Sequence, residues 1–312
     1  MPNKIIIISG PTASGKTSTS INLAKLFDGE VVNFDSLLFY KEINIGTAKP
    51  TREEQGNIPH HLIDTHSIFA PINAAGFIQE AIPVINDCHQ REKVVFLVGG
   101  SGFYLQAVIN GMYESVSSSK EVLERSDILY QNEGIGPFRE ILKNEDPDSY
   151  TKYNENDHYR NRRAVEHFWM TGERFSKSRS EMGKKGQESP SNKYQWDILH
   201  LYLDIPKEEH FPIIQARTEQ MFSQGILTEV KNLLESGANG SEKPLNSIGY
   251  KEVIAYLHGE FSSLAECKER ISINTRRLAK SQRTWFNKQD KTCYNSMTDL
   301  AAIESTCRSF LK

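Results

Sequence analysis

The feature that most constrains the fold of this chain is a glycine-rich loop placed directly after an apolar strand. The stretch "IIIISGPTASGKTSTS" begins at Ile5 and contains the pattern G-x-x-x-x-G-K-[ST]. The β-branched run before the loop predicts a strand buried on both faces of a parallel sheet, and a helix through Leu26 follows. Backbone N–H groups at such a helix start hold phosphates, Lys16 adds a positive charge, and the Thr17 hydroxyl can ligate Mg²⁺. The predicted diphosphate-binding residues are Gly10, Pro11, Thr12, Ala13, Ser14, Gly15, Lys16 and Thr17.

Strands and helices alternate after this loop. Short apolar strands are predicted at Glu30–Ser36, Lys93–Gly102 and Trp196–Pro206, and helical spacing is present at Ala74–Asn86. Alternation of this kind predicts an α/β fold, with a three-layer core around a parallel sheet as in the P-loop NTPases.

The middle of the chain has a different texture, without strand signals. Asn156–Gly172 reads as a helix with a cap near Asn156 or Asp157, and Ser176–Lys193 reads as a mobile polar loop. Helical spacing returns after the strand at Trp196. The expected division is a core at 1–114 and 196–290 with C-terminal helices, a helical insertion at 115–195, and a tail at 291–312. The C-terminal helices are predicted at Glu208–Ser223, Leu227–Glu235, Tyr250–Leu257 and Leu264–Asn287.

Composition excludes several classes of protein. A net charge of −3 with 38% apolar residues is typical of an ordinary globular protein, and any basic patch must be local. The four cysteines form no C-x-x-C pair, which argues for a reducing compartment and against a zinc knuckle. No segment resembles a membrane span or a cleavable signal, so a cytoplasmic protein is expected.

The usual hydrolytic partners of a phosphate loop are missing. The candidate strand for a metal-binding acid ends in "FLVGGSG", without Asp or Glu, and no guanine-selecting N-K-x-D is present. This weakens the case for an ordinary NTPase. Asp35 is the nearest acid and lies at the carboxyl end of a strand, where ligands of open α/β sheets bind. It can hold metal or take a proton, or it can cap the helix suggested by "DSLL".

Five blocks together resemble one family. They are "GPTASGKT", "VVNFDSLLFYKEINIGTAKPTREEQGNIPHHLID", "FLVGGSGFYLQAV", "NSIGYKEVIAYLHGE" and "RRLAKSQRTWF". Their order and spacing are similar to those of the tRNA dimethylallyltransferases, over roughly Ile5 to Trp285. That family attaches a five-carbon isoprenoid to adenosine 37, beside the anticodon.

The resemblance implies a reaction and roles for particular residues. The loop would bind the diphosphate of dimethylallyl diphosphate together with Mg²⁺, and this diphosphate would leave, so that no water needs activation. Catalytic roles fall on Asp35 as general base for the adenine N6, on Thr12 and Arg217 at the diphosphate, and on Ser101 at the target base. Most family members have threonine in place of Ser101.

The resemblance also implies tRNA contacts and a monomer. The residue pattern supports such contacts, because two predicted helices each carry a basic face. Either face could contact RNA phosphates or could simply be solvated. The first face has Arg160, Arg163 and His167, and the second has Arg276, Lys280 and Arg283. His60 and His61 are expected to be structural or orienting residues. The implied tRNA-binding residues are Asp35, Ser36, Leu37, Leu38, Ser101, Tyr159, Arg160, Asn161, Arg162, Arg163, Ser247, Ile248, Gly249, Tyr250 and Lys251.

One departure from the family pattern concerns the RNA grip. The family usually has His-Pro before the Asn-Asp that leads the helix of the insertion, where this chain has Asn154 and Glu155. Three other functions are alternatives for a chain with this loop: prenylation of free adenosine phosphates, an ATP-driven small-molecule kinase, and a non-catalytic RNA-binding module with a relic loop. The helical insertion and the basic helices count against the first, and intact Lys16, Thr17 and Asp35 count against the last.

Overall fold

A single parallel sheet organises the core of the protein. The computed structural model describes residues 3–112, 118–184 and 188–312. Its sheet has six strands in the order β3-β2-β4-β1-β5-β6, and every neighbouring pair is parallel. The strands are β1 (Lys4–Ser9), β2 (Gly29–Asn33), β3 (His60–His61), β4 (Val94–Gly99), β5 (Asp197–Asp204) and β6 (Thr292–Asn295).

The chain divides into two compact units. Unit 1 comprises Met1–Gly111 and Pro190–Lys312, and unit 2 comprises Met112–Ser189. The expected boundary between 114 and 115 lies outside the described residues. The helices of unit 1 are α1 (Lys16–Leu26), α2 (Arg52–Gln55), α3 (Ala74–Gln90), α4 (Gly102–Asn110), α10 (Pro190–Lys193), α11 (Lys207–Gln224), α12 (Ile226–Glu235), α13 (Tyr250–Leu257), α14 (Leu264–Phe286) and α15 (Leu300–Leu311), with a 3₁₀ turn at Lys243–Asn246.

Unit 2 is helical and has its own small core. Phe138, Leu142 and Val165 are its buried centre. The segment expected to be a mobile loop differs, since much of it lies in a helix, Phe175–Lys184. The reason is tertiary: the buried carboxylate of Asp146 accepts hydrogen bonds from the backbone N–H and hydroxyl of Ser176, at 3.0 and 2.5 Å. The helices are α5 (Lys120–Glu133), α6 (Gly136–Glu145), α7 (Pro147–Lys152), α8 (His158–Thr171) and α9 (Phe175–Lys184).

Strand β1 separates two hydrophobic cores, which confirms the three-layer α/β fold. Ile5 and Ile7 belong to the core that packs against α3, α4 and the C-terminal helices, whereas Ile6 and Ile8 face α1 and α15. A strand buried on both faces must be apolar at every position, and this run meets that requirement. In the described part of the chain, no helix is long and apolar enough to cross a bilayer.

The C-terminal segment differs from the tail expected at 291–312. Strand β6 pairs in parallel with β5, and α15 buries one face against the sheet. Ile303, Cys307 and Leu311 recur every fourth residue, so they share the face that meets this core. The segment therefore completes the third layer of unit 1.

A buried carboxylate stabilises the β2–β3 edge of the sheet. Glu30 accepts two hydrogen bonds from the Arg91 guanidinium, at 2.5 and 2.8 Å, and lies 2.7 Å from His61 Nε2. These contacts, Arg91 first, lower the pKa of Glu30 to about 2. Within the described residues, Glu30, His61 and Cys88 are the single group with metal-ligand spacing. Arg91 already neutralises the carboxylate, so we interpret the group as a structural ion pair.

We expect Glu30→Gln to flatten the loss of stability in acid. The folded pKa lies below the ordinary value, so the stabilisation is complete above about pH 4.5 and is lost as the pH falls towards 2. The contribution is roughly 1–3 kcal/mol at neutral pH. Urea unfolding at pH 7 and pH 3 measures it, with exposed Glu208→Gln as control. Equal acid sensitivity of wild type and Glu30→Gln would contradict the assignment.

Candidate functional site

Three strand ends meet at one edge of the sheet. Ser9 of β1 is in register with Gly99 of β4, and Asn33 of β2 is in register with Val98. The glycine loop follows β1, Asp35 follows β2, and Ser101 follows β4. Because parallel strands end at the same edge, the sheet brings these segments together.

The loop has the close packing and backbone conformation of a phosphate cradle. A Cβ atom on Gly10 would lie 2.2 Å from the Leu203 carbonyl oxygen, so only glycine fits there. Ala13 and Gly15 have φ of 61° and 77°, which turns the chain tightly before α1. The Ser14 hydroxyl is fully buried and has no hydrogen-bond partner in the described structure. A buried, unpartnered donor inside a loop of this type indicates a place for an anionic oxygen.

Lys16 lies inside the cradle, and no acid within the described residues forms a salt bridge with it. Its Nζ donates to the Pro11 carbonyl at 2.7 Å. Burial lowers the pKa of Lys16 to about 8, nearby Arg217 lowers it further, and Asp35 opposes both. An anion bound beside Lys16 would offset the free-energy cost of burying its charge, which favours a phosphate ligand.

Arg217 reaches the loop from helix α11. Its guanidinium donates to Thr12 Oγ1 and to the Thr47 carbonyl, both at 3.3 Å. Burial lowers the pKa of Arg217, and Asp35 opposes this. Two acids near Arg217 along the sequence have other partners: Glu219 pairs with Lys268, and Glu229 binds the loop of Asn44–Gly46. A second cation therefore faces the cradle.

Asp35 is presented by a short turn after β2. Asn33 Oδ1 accepts from the Asp35 backbone N–H at 2.8 Å, and Asp35 Oδ1 accepts from the Leu37 backbone N–H at 3.1 Å. The Ser101 hydroxyl accepts from the Ser36 N–H at 3.0 Å and contacts the Ser36 hydroxyl at 3.1 Å. The turn leaves a carboxylate oxygen facing open space, so a base and a hydroxyl are available side by side.

A cavity of about 460 Å³ joins these groups. Apolar side chains line much of it, among them Ile214, Met221 and Leu278. The arrangement can hold an anion, an apolar group and a proton acceptor together. The sequence-predicted residues that line it are Thr12, Lys16, Thr17, Asp35, Ser36, Leu37, Leu38, Ser101, Arg217, Ser247 and Ile248.

Gly249, Tyr250 and Lys251 are not among the cavity-lining residues. Tyr250 is fully buried; its hydroxyl donates to Glu229 at 2.5 Å and accepts from the Gly46 N–H at 3.1 Å. Burial, with Glu229 beside it, raises the pKa of Tyr250 well above its ordinary range. The side chain of Tyr250 supports the loop of Gly46 instead of being presented for contact with tRNA.

The predicted basic face of α8 is largely internal to unit 2. Asn161 is buried and bonded to the Asn154 and Asp157 carbonyls, while Arg163 contacts Ser118 and Glu166. His167 is also buried, so Arg160, Arg163 and His167 do not form one solvated face. The helix turns Arg163 towards Ser118, just before α5, and His167 towards Ser178 of α9, a choice that helical periodicity alone leaves open.

Tyr159, Arg160 and Arg162 of α8 differ in accessibility. Tyr159 is 75% exposed, and Arg160 is exposed with a pairing to Asp157 at 2.5 Å. Arg162 pairs with Asp127 and lies over the Tyr130 ring, 4.7 Å from its centroid. Tyr159 and Arg160 are thus the accessible members of the predicted set on this helix.

The second basic face, on α14, is also divided. Arg276 and Lys280 are exposed, with Arg276 over the Phe211 ring. Arg283 turns inward and pairs with Asp204 at 2.8 Å. The expected row of three cations is therefore a pair, because the third residue reaches the base of the phosphate loop.

The two adjacent histidines have different surroundings. His61 belongs to the Glu30 ion pair. His60 Nδ1 bonds to the Ile58 carbonyl at 2.8 Å, its buried Nε2 has no partner in the described structure, and the residue lines the cavity. Successive strand residues point to opposite faces, which explains the division.

Sequence reasoning missed the supporting residues of the site. Glu229 accepts backbone N–H bonds from Asn44, Ile45 and Gly46, at 3.1, 2.9 and 3.4 Å. Gln282 accepts from the Thr12 N–H at 2.8 Å. Both lie far along the chain from the loops they hold, so no local pattern identifies them; Gln282 does fall within the recognised block "RRLAKSQRTWF".

The fold and the cavity define a P-loop α/β transferase, with a phosphate cradle but without a hydrolytic acid in it. The family described as IPP transferase matches residues 38–289, and the chain belongs to this family.

Known relatives cover almost the whole chain. A tRNA dimethylallyltransferase 2 of Geotalea uraniireducens is 40% identical over 91% of this chain and 89% of its own length. A tRNA dimethylallyltransferase of Geobacter sulfurreducens is 37% identical over the same shares.

Solved structures give the same assignment. The tRNA isopentenylpyrophosphate transferase of Bacillus halodurans is 30% identical, with a TM-score of 0.71 over 99% of this chain and 97% of that one. A eukaryotic dimethylallyltransferase acting on tRNA is 30% identical, with a TM-score of 0.78 over 98% of this chain and 77% of that one.

We expect Glu229→Gln to loosen the loop around Gly46 without unfolding unit 1. The amide loses an acceptor that three backbone N–H groups share, and bonds to a charged group contribute about 1.5–3 kcal/mol each. Amide exchange in a peptide covering residues 43–48 should accelerate at least about tenfold. Tyr250→Phe removes one bond to the same carboxylate and one bond from the Gly46 N–H, and it should have a smaller effect because Glu229 keeps its bonds from Asn44 and Ile45. Unchanged protection in Glu229→Gln would show that the loop holds itself.

Proposed function

We propose that this protein transfers a dimethylallyl group from dimethylallyl diphosphate to N6 of adenosine 37 in tRNA and releases diphosphate. The observation that carries the proposal is the single cavity lined by Lys16, Asp35 and apolar side chains. Transfer of an allylic group needs an anion site for the leaving group, an apolar place for the isoprenoid and an acceptor for the amine proton.

The phosphate loop supplies the anion site. Lys16 and Arg217 line the same cavity, and the buried, unpartnered Ser14 hydroxyl belongs to the loop between Thr12 and Lys16. Electrostatic stabilisation aimed at the departing oxygen lowers the barrier. Thr12, whose hydroxyl contacts Arg217, would face the bridging oxygen. The electron pair of the breaking C–O bond leaves with the diphosphate.

Magnesium fits the hydroxyl at the start of α1. Thr17 is exposed, and its hydroxyl makes no hydrogen bond within the described residues. Mg²⁺ prefers oxygen ligands and commonly joins a hydroxyl to phosphate oxygens. When bound, it would neutralise charge on the diphosphate; Lys16 and Arg217 hold and orient the same group.

Asp35 would accept the proton released from N6 as the N–C bond forms. An exocyclic amine on adenine is a poor nucleophile, so positioning and proton removal both contribute. The Ser101 hydroxyl, next to Asp35 through Ser36, would orient the base. The base must leave the anticodon-loop stack to reach this depth.

RNA contacts are proposed at the accessible positions. Around the cavity they are Ser36, Leu37, Leu38, Ser247 and Ile248. Outside it, the exposed Tyr159 can stack on a base, and exposed Arg160, Arg276 and Lys280 can contact phosphates.

The deciding experiment offers two acceptors in parallel. The protein is incubated with dimethylallyl diphosphate, Mg²⁺ and either an unmodified anticodon stem-loop or adenosine monophosphate, and the nucleosides are weighed after digestion. We expect one added isoprenoid unit on the RNA adenosine and none on the nucleotide. Modification of the free nucleotide alone would assign the protein to free-nucleotide prenylation. Consumption of ATP in a further reaction to which ATP is added, with the RNA left unmodified in every reaction, would indicate a kinase.

We predict that Asp35→Asn binds the stem-loop normally but transfers the isoprenoid about a hundredfold more slowly, the usual scale for loss of a general base. The amide keeps the shape of the side chain and can still accept from the Leu37 N–H. Single-turnover rates at saturating substrate measure the effect. Asp197→Asn, at the opposite end of the sheet, is the control. A rate equal to wild type would remove Asp35 from the role.

A further inference from the structure

Thr12 is held at three atoms by side chains from two distant helices. Its carbonyl oxygen lies 2.9 Å from His210 Nε2, its backbone N–H donates to Gln282 Oε1 at 2.8 Å, and its hydroxyl accepts from Arg217 at 3.3 Å. We call these contacts the Thr12 frame. His210 and Arg217 belong to α11, and Gln282 belongs to α14.

The neighbours of His210 define its tautomer. A carbonyl only accepts, so the hydrogen is on Nε2 and points at Thr12. Arg283 Nη2 lies 2.8 Å from Nδ1 and only donates, so Nδ1 presents its lone pair. Arg283 is anchored in turn by Asp204, at 2.8 Å, and by the Ile205 carbonyl, at 3.1 Å. Hydrogen bonds therefore link Asp204 to Arg283, Arg283 to His210, and His210 to the Thr12 carbonyl.

This series of hydrogen bonds requires His210 to be neutral. Burial lowers the pKa of His210, and Arg283 and Lys16 lower it further, while the hydrogen bond to the Thr12 carbonyl and the charge of Asp204 oppose the shift. Protonation would place an N–H at Nδ1 against the N–H of Arg283, and the bond between them would be lost. The geometry therefore favours the neutral ring down to a pH below the ordinary histidine range.

Gln282 connects the phosphate loop to the loop after β4. Its Nε2 donates to the Gly100 carbonyl at 3.0 Å while its Oε1 binds Thr12. A Cβ atom on Gly100 would lie 2.5 Å from this nitrogen, so glycine permits the close approach. The amide spans the gap between the Thr12 and Gly100 backbones, one step from Ser101.

We propose that His210 and Gln282 are positioning residues that act through Thr12, and this rests on the proposed function. Hydrogen bonds to both the N–H and the carbonyl of Thr12 hold its backbone in one conformation. The Thr12 hydroxyl and the bonded Arg217 therefore keep one orientation towards the diphosphate. A backbone displacement of about 1 Å at such a group can cost about a hundredfold in rate. The C-terminal helices thereby determine the geometry of a loop formed near the N-terminus.

The test compares His210→Leu with His210→Gln. Leucine removes both hydrogen bonds, whereas glutamine keeps a donor for Thr12 and an acceptor for Arg283. We expect kcat to fall about ten- to hundredfold in His210→Leu, with little change in KM for the RNA, and glutamine to recover most of it. His89→Leu is the matched control, because His89 Nε2 contacts the Lys4 carbonyl at 3.2 Å, away from the cavity lining.

A pH profile separates positioning from general support of the fold. In wild type, activity should fall in acid as His210 gains a proton; in His210→Gln that acid limb should shrink, because the amide does not titrate. Equal kcat in wild type and His210→Leu, or an unchanged acid limb in His210→Gln, would overturn the proposal. If His210→Leu does not fold, Gln282→Met provides the same comparison, with normal kcat again contradicting it.

A binding measurement keeps this proposal separate from the proposed function. Titration of wild type and the two His210 variants with inorganic pyrophosphate and Mg²⁺ needs no RNA. We expect weaker binding in His210→Leu and recovery in His210→Gln. Failure of wild type to modify RNA would refute the function alone, whereas equal pyrophosphate affinity in all three proteins would refute the Thr12 frame.

Discussion

The structure depends on the burial of β1 between two hydrophobic layers. Alternate isoleucines of this strand enter different cores, so the strand lies in the middle of the sheet with β4 on one side and β5 on the other. Parallel pairing then fixes where each neighbour ends. The glycine loop, the turn of Asp35 and the loop of Ser101 emerge at one edge because Ser9, Asn33 and Gly99 share nearly the same level in the register.

The C-terminal helices turn this edge into an enclosed site. Helix α11 contributes Arg217 and His210, and α14 contributes Gln282, all of which bind Thr12 of the phosphate loop, while Arg283 of α14 binds His210. Glu229 of α12 holds the backbone around Gly46. Side chains more than a hundred and fifty residues away thus orient the loops that carry the chemistry. Most of these supports are hydrogen bonds to backbone groups, which explains how the loops keep their shape with few side chains of their own.

Charge in the cavity is arranged for an anionic ligand. Lys16 and Arg217 are two cations that lie near each other, which is electrostatically unfavourable. Burial increases this cost in free energy, and Asp35 offsets only part of it. Such a site is unfavourable when empty and favourable with a diphosphate in it. Elsewhere, cations that the helical pattern predicted on the surface are used internally: Arg163 within unit 2 and Arg283 at the base of the phosphate loop. Because these cations are engaged inside the protein, fewer exposed cations remain to contact RNA.

The sequence alone determined the class of fold, the phosphate loop, most helix and strand limits, and the family to which the chain belongs. These depend on local patterns: a β-branched run, glycines at fixed spacing, and contiguous motifs. Only the tertiary structure decided which side of α8 and α14 faces inward, that 292–311 completes the sheet and its cover, that His60 and His61 face different surroundings, and that His210 and Gln282 hold Thr12. Periodicity identifies a face but not its partner, and a hydrogen bond between residues about two hundred or more positions apart leaves no local signal.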